Sequence, residues 1–245
     1  MNEEHFAALR DAADPSPWQG QNARKWAQHF VTESTVLSAL PHRALSRDEL
    51  AAFCCNGGSR GEACFLSVMA WGGMDRRHGA SAWAARDKGL LSAVSRLRAG
   101  RLDRAEAFQI FQSLRNSDHL PGLGIAYFTK LMFFLNPGSH SYILDQWTAK
   151  SINLLFGPTV HLALGQSPIS SKPRKRDSVS DRNNADAYAL FCHRVEEIAK
   201  RLDWDGEEAE RRLFSQKRPS DQHWRAYVQR NWTPEKHNLT VTAPR

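Results

Sequence analysis

The chain has 245 residues, of which 41% are apolar and 24% charged. This excludes a disordered chain or a disulfide-stapled miniprotein, and at roughly 150 residues per domain it admits one large domain or two small ones. The longest apolar run, Leu131 to Leu135, is far short of the roughly 20 residues of a spanning helix, and the start Met1-Asn2-Glu3-Glu4-His5 lacks the order of a signal peptide, so a cytoplasmic protein without a membrane partner is expected. The net charge of +7 biases the partner toward a polyanion without identifying one.

In chain order, residues 1–45, with Pro15, Pro17 and two short helical stretches, read as a helical lead-in. Ser46-Arg47-Asp48-Glu49 is a capping box, in which serine and glutamate each accept from the other's amide, so a helix begins there. Cys54, Cys55, Cys64 and Cys192 have no regular spacing and read as buried free thiols, and no motif has metal-ligand spacing. Trp83, Leu90, Leu91, Val94 and Leu97 recur at three- and four-residue steps up to Gly100, as do Phe108, Phe111 and Leu114 before Asn116. Gln166 to Ala185 is polar and reads as a mobile loop whose Lys172-Pro173-Arg174-Lys175-Arg176 either contacts phosphates or is only a solvated face. Tyr188, Phe191, Cys192, Val195, Ile198, Ala199 and Leu202 form the cleanest amphipathic stripe, Trp224 and Val228 mark a last helix, and 231–245 read as a tail. Period-two alternation is nearly absent, which makes the chain all-α with few strands or none.

The segment that carries chemistry is Leu120-Pro121-Gly122-Leu123-Gly124-Ile125-Ala126. It follows one helix and opens another. Two closely spaced glycines let several amides face one way, and the next helix adds its unpaired amides and positive dipole end, which together make an anion site. A dinucleotide-binding loop would need a preceding strand and a third glycine where Tyr127 stands, so that reading is rejected.

This segment, with Tyr142-Ile143-Leu144-Asp145-Gln146-Trp147, resembles the signature of the helix-hairpin-helix DNA glycosylases. Their pattern is a Leu-Pro-Gly-Val-Gly hairpin, a helix, and then an aspartate at the start of the next helix. The separation of Gly124 from Asp145 is similar to that of the 8-oxoguanine branch. Weaker likenesses are Phe65 to Gly73, which looks like the family's pocket and wedge loop, and Ala209 to Ser215, where Phe214 matches a phenylalanine that stacks on the extruded base. The resemblance implies two helical lobes with the active site in the cleft, and a glycosylase domain over residues 46–230. It also implies a double-stranded DNA partner containing a modified base, and a monomer is expected.

What it implies for residues follows position by position. Gly122, Leu123 and Gly124 would grip the DNA backbone, and Asp145 would be catalytic. Trp71, Gly72, Met74, Arg76, Arg77 and His78 would line the base pocket or wedge into the duplex, along with Glu210 and Phe214 on the base-reading helix. Each of these is equally open to a structural reading, and Glu210 to that of a surface glutamate. Strand-nicking members have a lysine where this chain has Ala126. Lys130, one turn on, is open as a catalytic amine, a backbone contact or a surface lysine. With only Cys192 after the Asp145 segment no iron-sulfur cluster is implied and no cofactor is expected, although the hairpin would admit a monovalent cation.

Breaking an N-glycosidic bond leaves positive charge on the sugar, which a carboxylate below the ring stabilises more in the transition state than in the ground state. The expected activity is hydrolytic excision of a flipped base, leaving an abasic site and an unnicked strand. Gly72 and Gly73 would leave room beside the base and Glu210 could accept from a cytosine amino group, which points to a bulky modified cytosine such as glucosylated 5-hydroxymethylcytosine of phage DNA, in antiviral defence. The alternatives are 8-oxoguanine repair and a hairpin module that binds DNA without catalysis.

Overall fold

The computed structural model describes residues 1–164, 177–215 and 223–239. Among these the chain is helical almost throughout, as expected of an all-α protein. The helices are α1 (Glu3–Arg10), α2 (Ala23–Ala27), α3 (Ser34–Ser38), α4 (Arg47–Cys55), α5 (Gly61–Trp71), α6 (Arg76–Ala84), α7 (Leu90–Arg98), α8 (Arg104–Asn116), α9 (Ile125–Leu135), α10 (Gln146–Phe156), α11 (Ala185–Leu202), α12 (Gly206–Phe214), α13 (Trp224–Asn231) and α14 (Pro234–His237). They divide into two compact units, one of residues 17–141 and one that joins residues 1–16 to 142–245. The lead-in segment is therefore shared, with α1 in the second unit and α2 and α3 in the first.

In the unit of residues 17–141, α5 and α9 are apolar on nearly every face and correspondingly buried along their length. Such helices cannot lie at a surface, and α9 is covered by α4, α5, α7 and α8. Phe111 stacks on Phe128 with centroids 5.2 Å apart, and Phe108 meets the same ring edge-on, which locks α8 to α9. The capping box of Ser46 and Glu49 is formed. The run from Trp83 to Gly100 is not one helix, however. It breaks at Gly89, whose φ of +117° only glycine adopts easily and whose Cα faces the Leu114 side chain at a distance that leaves no room for a Cβ.

In the second unit α10 is the central helix, with α1, α11, α12 and α13 around it. Ser151 ties three of these together, since its hydroxyl donates to the Leu213 carbonyl at 2.9 Å and accepts from Trp224 Nε1 at 2.8 Å. The α11 stripe is buried as its period requires. Tyr188, on that stripe, brackets Tyr142 by donating to its carbonyl at 2.9 Å and accepting from its amide at 3.1 Å. The expected loop 166–185 is only partly described, and Lys172 to Arg176 lie outside the described residues, as does the tail beyond residue 239. Its later part is ordered structure and not a polar loop. Ser178–Val179 pairs antiparallel with Leu162–Ala163, Val179 is buried, and Asn183 is buried with its amide group bonded to His161 and Ser180 carbonyls.

Candidate functional site

Asp145 is the N-cap of α10. Its Oδ1 accepts from the amides of Trp147 at 2.8 Å and Thr148 at 3.1 Å, while Thr148 Oγ1 accepts from the Asp145 amide at 2.9 Å and donates to the Ile143 carbonyl. The residues before it, Tyr142, Ile143 and Leu144, are buried, so the chain enters the helix from a fixed direction. The carboxylate is therefore immobilised through one oxygen. Oδ2 makes no hydrogen bond among the described residues, and the group is half-buried at the positive end of a helix. An anchored carboxylate with one free oxygen is suited to facing positive charge on a reacting group.

Next to it lies a side chain that no sequence motif singles out. Arg225, on α13, places its guanidinium carbon 4.6 Å from the centroid of Trp147 and 4.5 Å from that of Phe214, so the cation is flanked by two rings. Nε and Nη2 donate to the Phe214 carbonyl at 3.1 and 2.6 Å, which satisfies the last turn of α12. Burial pulls its pKa down to about 10, against the opposing charge of Asp145, so the group remains protonated at neutral pH. Trp147 meets a second cation as well. Lys150 Nζ lies 5.0 Å from its ring and 4.7 Å from that of Trp232, and pairs with Asp177 at 2.6 Å.

Phe214 is half-buried at the end of α12, with Glu210 one turn before it. Glu210 is only 1% exposed, which removes the reading of a surface glutamate. Gly206, at the start of the helix, faces the Tyr142 ring with no space for a side chain, so α12 is drawn against the segment that leads to Asp145.

The hairpin belongs to the unit of residues 17–141. Leu120 and Leu123 are buried and anchor it, the Leu123 amide donates to the Leu120 carbonyl at 3.3 Å, and Arg115 Nη1 holds the Leu123 carbonyl at 2.7 Å. Gly122 has φ +77° and is exposed, while Gly124 is the N-cap of α9 in ordinary extended conformation. As in any helix, the first amides of α9 have no acceptor within it and face outward from its start.

Lys130 is not a surface lysine, being 8% exposed. Its stem crosses Gly72, where a Cβ would come within 2.9 Å of Lys130 Cδ, and its Nζ folds back one turn to donate to the Ala126 carbonyl at 2.7 Å, 5.4 Å from the Tyr127 ring centroid. The room that Gly72 was expected to leave is thus filled by this stem, whereas Gly73, at φ +70°, faces open space.

Among the residues expected at the pocket or wedge, Trp71 and Met74 face inward. Trp71 packs edge-on against Phe134 and Trp18, and Met74 is 1% exposed with its carbonyl accepting from Trp26 Nε1 at 2.9 Å. Arg76, Arg77 and His78 are exposed on the first turn of α6, whose N-cap is Asp75. They stand beside the hairpin, because the His78 backbone lies directly against Gly122. An exposed basic turn next to outward-facing amides is suited to gripping a phosphate backbone.

No curated protein and no solved structure matches the chain. A family model described as "Putative 8-oxoguanine DNA glycosylase OGG-like protein" matches residues 10–214, and the chain belongs to that family.

Proposed function

We propose that the protein is a monofunctional DNA N-glycosylase that turns a modified base out of duplex DNA and hydrolyses its bond to the sugar, leaving an abasic site in an unnicked strand. The observation that carries this reading is Asp145, whose Oδ1 is held by two helix amides while Oδ2 makes no hydrogen bond among the described residues. As the C1′–N bond lengthens, the anchored carboxylate opposes the positive charge of the sugar, and the water that adds to C1′ gives up a proton to it. The hairpin amides, with Arg76, Arg77 and His78, would hold the backbone while the base is out of the stack, which itself costs a few kcal/mol. Ala126 at the position of the nicking lysine supports an unnicked product.

For the base, we propose a bulky modified cytosine of phage DNA, such as glucosylated 5-hydroxymethylcytosine. The carboxylate of Glu210, one turn from Phe214, supports it, since a carboxylate accepts from a cytosine amino group. The second reading, 8-oxoguanine, is favoured by the description of the family. The test is competitive: duplexes with glucosylated 5-hydroxymethylcytosine, 8-oxoguanine or no modification, in one flanking sequence, are incubated with the protein and assayed for abasic sites. Release of the glucosylated base is expected. Release of 8-oxoguanine alone would return the protein to repair, and binding without any release would leave a hairpin module.

A further inference from the structure

An N-cap aspartate does not by itself fix where its free oxygen points. A capped helix start needs a side-chain oxygen at the N-cap, and that requirement leaves open the direction from which the chain arrives. In this protein the direction is set by two side-chain hydroxyls. Tyr188, from α11, donates to the Tyr142 carbonyl at 2.9 Å and accepts from its amide at 3.1 Å. Thr148, in the first turn of α10, accepts from the Asp145 amide at 2.9 Å and donates to the Ile143 carbonyl at 2.9 Å. Both side chains are fully buried.

The two clamps differ in what they reach. Tyr188 stops at Tyr142, short of the aspartate, with Ile143 and Leu144 buried in between. Thr148 closes a ring on Asp145 itself, because its own amide also donates to Asp145 Oδ1 at 3.1 Å. Its bond to the Ile143 carbonyl lies outside the helix and is not part of the cap. Glutamate and glutamine are the usual third residues of a capping box, and their long side chains complete it while remaining mobile. Threonine is a poorer helix former, and its branched Cβ leaves it few rotamers. A short, stiff, buried hydroxyl bonded to both Ile143 and Asp145 fixes the Cα of the aspartate, and through it the direction of Oδ2.

We infer that Thr148 is a positioning residue for Asp145, its hydroxyl holding the aspartate backbone so that the free carboxylate oxygen faces the reacting sugar carbon. The inference rests on the reading of Asp145 as the group that opposes sugar charge. Thr148 acts only through that carboxylate, and no proton or bond of the substrate passes through its hydroxyl. Misplacing a reacting group by about 1 Å can cost a hundredfold in rate. Without the Thr148 hydroxyl the two amide bonds to Oδ1 remain, so the carboxylate is loosened and not released. The hydroxyl therefore contributes to the rate of base release and not to the grip on an ordinary duplex.

The test separates positioning from a merely structural role. Single-turnover base release, affinity for an unmodified duplex and affinity for a duplex with a cationic pyrrolidine in place of one sugar are measured for the wild type, Thr148→Val, Thr148→Ser, Tyr188→Phe and Asp145→Asn, with thermal melts to establish folding. Thr148→Val and Tyr188→Phe each remove a buried hydroxyl and leave two backbone groups unpaired, so both should melt several degrees below the wild type. Only Thr148→Val should lose function. Its release should slow about tenfold, and its affinity for the pyrrolidine duplex should fall too, while affinity for the unmodified duplex holds. Thr148→Ser, which keeps the hydroxyl, should release at close to the wild-type rate. Unchanged release in Thr148→Val, an equal fall in Tyr188→Phe, or no recovery in Thr148→Ser overturns the inference. Full release by Asp145→Asn, or none by the wild type from any duplex, would instead refute the reading of Asp145 on which it rests.

Discussion

A Cβ on Gly122 would lie 2.9 Å from the carbonyl oxygen of His78, so the tip of the hairpin lies directly against the first turn of α6. The contact joins two segments far apart in the chain into one surface. It also makes the two hairpin glycines unequal.

Gly122→Ala should therefore be costly in two ways, through the strain of a side chain at φ +77° and through the clash with His78. A loss of about 1 to 3 kcal/mol in denaturant unfolding is expected, along with weaker binding to every duplex irrespective of its bases. Gly124→Ala has an ordinary φ and open space, so it should unfold like the wild type. Equal destabilisation by the two substitutions would refute this distinction.

Asp145→Asn separates capping from chemistry. Asparagine caps a helix about as well as aspartate does, so the variant should keep its stability and DNA affinity while base release drops at least about a hundredfold. Asp145→Ala should in addition lose about 1 kcal/mol of stability with the cap. Full release by the asparagine variant, measured in single-turnover assays, would take Asp145 out of the mechanism.

Lys130 lies one helical turn from the expected nicking position, and its Nζ is bonded to the backbone of Ala126 itself. Borohydride added during turnover should trap no covalent protein–DNA adduct, and the product strand should stay intact until treated with alkali. An adduct that disappears in Lys130→Ala would show that this amine attacks the sugar and that the enzyme is bifunctional.

The protein should also lose stability toward mild acid. His5 Nδ1 is 2.9 Å from the Tyr227 hydroxyl, and burial holds the imidazole below its ordinary value, with His237 adding to the effect and Glu4 opposing it. The native state thus takes up this proton less readily than the unfolded chain. Its contribution is complete above the unfolded value of about 6.5 and is lost as pH falls through the folded value. His161, lowered by burial and by Arg182, acts in the same direction. Urea midpoints should drop between pH 7.5 and 5, and less so in His5→Gln. An identical drop in that variant would assign the effect elsewhere.

The capping box at Ser46, the buried stripe of α11 and the hairpin itself were legible in the sequence because each is a local pattern with a local cause. Gly89 was not, since a glycine amid apolar residues at helical spacing reads as a tolerated interruption until its φ is known. Trp71 and Met74 were expected to line the pocket or wedge into the duplex because a helix end followed by glycines reads the same whether the loop projects or folds inward, and it is held inward by bonds from Trp18 and Trp26, far earlier in the chain, to the Trp71 and Met74 carbonyls. Arg225 is invisible for a related reason. Its meaning comes from Trp147 and Phe214, which lie on two other helices, and no spacing along the chain relates the three.

One consequence of the double duty proposed for Asp145 concerns how such a gene can change. The cap ties the fold to a side chain with an oxygen in that place, and asparagine meets the need as well as aspartate does. Their codons differ by one nucleotide. Under the proposed function, a single transition in the gene would thus convert an active chain into a folded one that has lost its chemistry, and the reverse mutation would restore it, so active and silent copies of this chain are neighbours in sequence space.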